Sequence, residues 1–271
     1  MRPPSPIALD QRWEIRRGNG PVLATALHAG HDLRPELAAL SALDAATRLR
    51  EEDPLTDVLA SVGDHLFVPA ASRFEVDLNR PADEAVYLNG YYAWGLEPWS
   101  RQLEEAEVAR SLAARERYYQ LMRVWLEELI TTYGAVLVLD VHSFNHRPAD
   151  GDGEPGPPTD HPDIDLGLTT ADEDRFGELV ETLWTELTRT RMPAAGDADR
   201  AVEVDRNARF VDGGHWPEWV FEQYGEHVCT VTLEYKKVFM DEWAGTADIQ
   251  ALHALHSGLR RAVDAVRHLV R

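Results

Sequence analysis

The chain has a single cysteine, Cys229, so no intramolecular disulfide can brace it. Lysine is nearly absent too: Lys236 and Lys237 are the only ones, and almost every cation is an arginine. Positive charge is scarce overall. The 27 Lys and Arg are outnumbered by 47 Asp and Glu, giving a formal net charge of −20 over 271 residues. Such a surface cannot displace the counterions of a nucleic acid or settle on anionic lipid headgroups, so neither is an expected partner. No apolar run reaches transmembrane length, and the opening MRPPSPIALDQRWEIRRG has no signal-peptide core. The expectation is a soluble, cytoplasmic protein.

What is present is enough apolar residue, 44% of the chain, to bury a sizeable core. PVLATAL (21–27) reads as a short buried strand followed at once by His28. A helix is expected from Pro35, with Asp32 ahead of it as a cap. HLFVP and RFEVDL, within 65–78, read as one or two strands. Helical periodicity runs from about Glu97 to Tyr133 and stops at Gly134. AVLVLDV (135–141) is almost wholly apolar, the composition of a strand covered on both faces. Residues 149–162, rich in Gly, Pro and Asp, read as a surface loop whose composition permits a lid. A helix over 171–190, a loop over 193–216, the strand VCTVTLEY (228–235) and a terminal helix over 247–270 complete the chain. Strands alternating with helices predict a three-layer α/β/α sandwich with a mixed, mostly parallel central sheet, in one domain over 1–271.

In open α/β sheets, ligands collect at the carboxyl ends of strands. Reactive side chains cluster at four such ends here: HAGHD, NR, HSFNHR and the Glu of TLEY. His28 and His31, separated by Ala29 and Gly30, together with His142 make a candidate open zinc site, one ion per chain. Catalytic zinc keeps three protein ligands and leaves a position for water. Asp140, two residues before His142 on the same strand face, can orient an imidazole. Asp32 or Glu75 are alternatives to His31. Glu234, at the end of an interior strand, fits a general base taking a proton from water. The bland alternative is an ion pair with Lys236.

Asn79 and Arg80 read as a carboxylate clamp, with Asp77 behind Arg80; a structural Asp77–Arg80 pair is the alternative. The loop RNARFVDGGHWPEW offers Arg206, Asn207, Arg209 and His215, with Arg209 and His215 read as substrate contacts and an ordinary long connection as the alternative; His146 and Arg147 lie near His142. The tryptophans read as core. Ser143 follows His142, but no GxSxG elbow surrounds it.

HAGHDLRPEL, FEVDLNRP, DVHSFNHR and TLEYKKVFMDEW, in that order, resemble the N-formylglutamate amidohydrolase family, which belongs with the zinc-carboxypeptidase-like folds. The resemblance spans 28 to about 243. It implies zinc on His28 and His142, substrate carboxylate on Asn79 and Arg80, and catalysis by Glu234 with Arg80. The carboxypeptidases place a zinc-binding glutamate three residues after the first ligand, where this chain has His31, so the third ligand stays open. The expected function is zinc-dependent hydrolysis of an N-acyl amino acid such as N-formylglutamate, a small-molecule substrate with a free carboxylate. A carboxypeptidase-like or peptide-tailoring hydrolase is the second reading. A non-catalytic metal or amino-acid binding protein is the third.

Overall fold

The computed structural model describes residues 13–148, 154–194, 199–210 and 213–271. Its centre is a seven-stranded sheet of β1 (Trp13–Arg16), β2 (Val22–Thr25), β3 (His65–Pro69), β4 (Val136–Phe144), β5 (Ile164–Gly167), β8 (Val204–Arg206) and β9 (Val228–Lys236). The spatial order is β1-β3-β2-β4-β9-β5-β8. The central four, β3, β2, β4 and β9, run parallel. β1 pairs antiparallel at one edge, and β5 turns the direction at the other, with β8 parallel to it. Two small ribbons, β6 (Arg191–Pro193) with β7 (Asp199–Ala201) and β10 (Met240–Asp241) with β11 (Thr246–Ala247), lie outside the sheet.

The helices are α1 (Pro35–Ala38), α2 (Ala45–Glu51), α3 (Thr56–Ala60), α4 (Glu105–Tyr133), α5 (Glu173–Thr188), α6 (His215–Tyr224) and α7 (Ile249–Val266). One face of the sheet packs on α3, α5 and α7, where Leu137, Leu139, Val231 and Leu233 meet Leu59, Leu183, Leu255 and Leu259. The other packs on α4 and α6, where Leu23, Val136 and Val138 meet Met122, Trp125 and Trp216. The result is the three-layer α/β/α sandwich with a mixed, mostly parallel sheet. All nine residues of β4 are buried, because helices cover both of its faces. Among the described residues, no helix is long and apolar enough to cross a membrane.

Three expectations are corrected. The long helix begins at Glu105, not Glu97, since Glu104 and Glu107 form a reciprocal capping box there. The short α1 has Arg34, not Asp32, at its N-cap, and no side chain caps it. RFEVDL is not a strand. Phe74, Val76 and Leu78 are buried as their alternation suggests, yet so are Glu75 and Asp77. Ser72 Oγ and Ser72 O take the N–H groups of Phe74 and Glu75, folding the segment into a turn. Part of the expected lid, 149–153, lies outside the described residues.

Gly30 shows how tightly the first site loop is laid against its neighbour. A Cβ there would stand 2.4 Å from Ala71 O and 2.5 Å from Pro69 O, both backbone atoms that cannot swing aside. Gly177 on α5 is the opposite case, since a Cβ would meet nothing within 4 Å. Urea unfolding should therefore show Gly30→Ala losing about 1–3 kcal/mol to overpacking. Gly177→Ala should gain up to about 1 kcal/mol of helix propensity. Equal effects of one sign would contradict this packing.

Candidate active site

The parallel strands β2, β4 and β9 bring their carboxyl ends to one edge, and the polar groups gather there. His28 follows β2 by three residues; His142 and Glu234 are direct partners in the β4–β9 ladder. Each imidazole is fixed from behind by a buried carboxylate. His28 Nε2 lies 2.8 Å from Asp77 Oδ1, and His142 Nε2 lies 2.9 Å from Asp140 Oδ2. Asp140 is itself held by Thr25 Oγ1 at 2.6 Å. Asp77 also accepts from Arg73 Nη2 at 2.8 Å, from Asn79 N at 2.8 Å and from the Tyr87 hydroxyl.

With both Nε2–H groups donated backward, both Nδ1 lone pairs face inward. His142 Nδ1 and His28 Nδ1 are 3.1 Å apart. The third member is Asp53, whose Oδ2 lies 3.0 Å from His142 Nδ1 and 3.3 Å from His28 Nδ1. Three electron-pair donors, all buried, thus converge on one point. Such a set repels itself unless a proton or a metal ion stands among its members. Nitrogen and oxygen ligands about 2.0–2.1 Å from a tetrahedral ion are themselves about 3.4 Å apart, close to the spacing here. The donor set therefore fits a small divalent cation. The electrostatics agree. Burial would raise the Asp53 carboxyl, but His142 and His28 outweigh it and hold it well below the usual range. Burial would lower His142, but Asp140 and Asp53 outweigh it and hold the imidazole well above its usual value.

His31 stands apart from this set. Its Nδ1 pairs with the buried Glu52, and its side chain is 39% exposed. Glu75 is committed to Arg34, and Asp32 is exposed. Asp53 occupies the place for which those three were candidates. Its N–H donates to His28 O at 2.9 Å, so backbone pairing carries it to the histidine.

Glu234 is buried, and burial pushes its carboxyl up to about 7. Among the described residues nothing hydrogen-bonds to it, and Lys236 turns instead to His161 O. The carboxyl lines a cavity of about 520 Å³ together with His28, Asp53 and His142. Arg73, Asn79, Arg80, Arg209 and His215 line the same cavity. Asp77 does not back Arg80, whose Nη1 makes only a 3.4 Å contact with Glu84. The Asn79 side chain is largely spent on structure: Nδ2 donates to Gly213 O at 2.9 Å, and Oδ1 accepts from Trp216 N at 2.8 Å. It thereby sews α6 to the site, and a Cβ on Gly214, whose φ is +95°, would strike its amide.

Arg209 enters from the loop that follows β8. Buried Asp165 accepts the N–H groups of Ala208, Arg209 and Phe210 at 3.0, 2.7 and 3.0 Å, which fixes the loop. The Arg209 guanidinium lies over Phe144 and Phe210, and no described carboxylate pairs with it. His146 and Arg147 do not line the cavity; their N–H groups bind Glu242. Trp94, half exposed and with φ at +54°, borders the cavity, unlike the buried Trp125 and Trp216. Asp53, Arg73 and Asp165 carry no mark in the sequence beyond their charge, and Lys237 only its rarity as a lysine.

A family model described as N-formylglutamate amidohydrolase matches residues 20–240. The chain belongs to the N-formylglutamate amidohydrolase family. It is 30% identical to the N-formylglutamate deformylase of Pseudomonas aeruginosa, over 95% of this chain and 94% of that one. The fold is shared with the crystal structure of an N-formylglutamate amidohydrolase from Ralstonia eutropha, at a TM-score of 0.71 and 18% identity. That match covers 95% of this chain and 96% of the other. A gene product of Agrobacterium tumefaciens gives 0.63 at 19% identity, covering 94% and 95%.

The raised Glu234 carboxyl has a consequence for metal-free protein. Between its ordinary value of 4.5 and about 7, the folded state holds a proton that the unfolded state has lost. Stability therefore falls as pH rises through that window, by up to about 3 kcal/mol. Glu234→Gln should flatten that loss in urea titrations with chelator present. An unchanged slope would mean that Glu234 titrates normally.

Proposed function

We propose that the chain is a zinc-dependent amidohydrolase that cleaves the amide of an N-formyl amino acid, N-formylglutamate first among them, releasing formate and the free amino acid. The observation that carries this reading is the convergence of His28 Nδ1, His142 Nδ1 and Asp53 Oδ2 beside the unpartnered carboxyl of Glu234. His28, His142 and Asp53 are the proposed ligands, with His31 replaced by Asp53. When bound, zinc supplies Lewis acidity at the scissile carbonyl and makes water more acidic.

The chain's own groups do the rest. Glu234 accepts a proton from the attacking water as the C–O bond forms. It returns that proton to the amide nitrogen as the C–N bond breaks, so the leaving group departs as an amine. Arg73, fixed by Asp77 beside His28, sets positive charge where the carbonyl oxygen gains negative charge. Arg80 and Arg209, which line the same cavity, receive the two carboxylates of a dicarboxylic amino acid in this reading, with His215 and the remaining Asn79 amide hydrogen beside them. Arg80 has the long Glu84 contact and its place over the Tyr92 ring to give up. A site that only bound amino acids would have no use for an unpaired buried carboxyl next to the metal ligands.

Untagged protein should carry about one zinc per chain and hydrolyse N-formylglutamate. Glu234→Gln should keep the zinc and lose about 10²–10⁴-fold in kcat. A variant that stays active would sink the mechanism. Arg209→Met should raise KM for N-formylglutamate at least tenfold with kcat nearly unchanged, and leave a neutral N-formyl amino acid unaffected. Equal losses on both substrates would remove Arg209 from side-chain recognition.

A further inference from the structure

Lys237 is the anomaly of the cavity wall. The chain uses arginine for almost every cation, yet places one of its only lysines here, 1% exposed. A buried ammonium is expensive unless its protons are all received. They are. Nζ donates to Arg50 O at 2.6 Å, to Glu52 O at 2.8 Å and to Asn145 Oδ1 at 2.8 Å. An ammonium offers three donors in a tripod, which a planar guanidinium cannot copy. No N–H is left for a substrate, although the side chain borders the cavity.

The three acceptors lie on the segments that carry the site. Arg50 and Glu52 lead into Asp53. Asn145 follows His142 by three residues, and Lys237 follows Glu234 by three. Asp53 needs such a brace, because it sits outside the sheet, between the end of α2 and a turn where Leu55 has φ of +70°. Its main chain is otherwise fixed by the bonds from its N–H to His28 O and from Thr56 to Asp53 O.

We propose that Lys237 is a positioning residue: by gripping the carbonyls of Arg50 and Glu52 it fixes the segment that presents Asp53 and so sets the affinity of the metal site. The proposal rests on Asp53 being a ligand of the zinc proposed above.

The test is zinc affinity, read by competition with a chromophoric chelator, independently of turnover. Lys237→Met keeps the stem volume and should bind zinc about 10–100-fold more weakly, as loss of an outer partner does. Asp53→Ala should weaken binding as well. The decisive variant combines the two. If Lys237 acts through Asp53, then Lys237→Met costs nothing further in the Asp53→Ala background. Wild-type affinity in Lys237→Met, or full additivity in the double variant, would overturn the proposal while leaving the metal site intact. Wild-type protein that takes up no zinc would instead sink the metal reading and this inference with it. If Lys237→Met does not accumulate as folded protein, Asn145→Ala, which removes one of the three acceptors, carries the same double-variant comparison with a smaller expected loss.

Discussion

Two imidazoles turned face to face, each pinned from behind by a buried carboxylate, are the constraint on which the site depends. Asp77 and Asp140 decide which nitrogen of each ring carries the proton, and so which points inward. Neither carboxylate could stay buried without further partners. Arg73, Tyr87 and the Asn79 N–H supply them for Asp77, and Thr25 for Asp140. The polar network therefore reaches well beyond the three inward-facing atoms. It joins the irregular 72–80 segment, β2 and β4 into one hydrogen-bonded unit.

The sheet explains why these groups meet. Parallel β2, β4 and β9 present their carboxyl ends together, and the His142–Glu234 register sets imidazole and carboxyl side by side without any loop. The reversal of β5 adds something that a fully parallel sheet would lack. Because β5 runs antiparallel to β9, Asp165 sits opposite Glu234, at the same end. From there it holds the loop that carries Arg209 into the cavity. One edge of the site is thus built by strand ends, and the other by a strand start.

His28, His142 and Glu234 are legible in the sequence because strand ends are legible: apolar runs announce them, and a polar residue just beyond stands out. Asp53 has no such frame. It is one acid in EED, within a chain holding 47 acidic residues, and its approach to His28 depends on backbone pairing between segments 25 residues apart. His31 stands at the spacing that local reasoning favours, but its ring is drawn to Glu52, whose burial leaves it needing a partner. RFEVDL misleads for a related reason. Its alternation is that of a strand, but Asp77 is needed as an acceptor for His28, and Ser72 turns the chain to deliver it.

A protein of net charge −20 repels anions at long range, and yet Arg73, Arg80, Arg209 and Lys237 all border this cavity. The cations are not interchangeable there. Arg73 and Lys237 are spent on Asp77 and on backbone carbonyls, so their charge acts while their donors stay fixed. Arg80 and Arg209 keep planar donors in reserve, the geometry that receives a carboxylate through paired hydrogen bonds. At a spacing below the Debye length of about 8 Å, such local charges outweigh a diffuse surface charge that salt screens. The acidic exterior can therefore coexist with a cavity in which four cations stand beside the carboxylates of Glu51, Asp53, Glu84, Glu218 and Glu234.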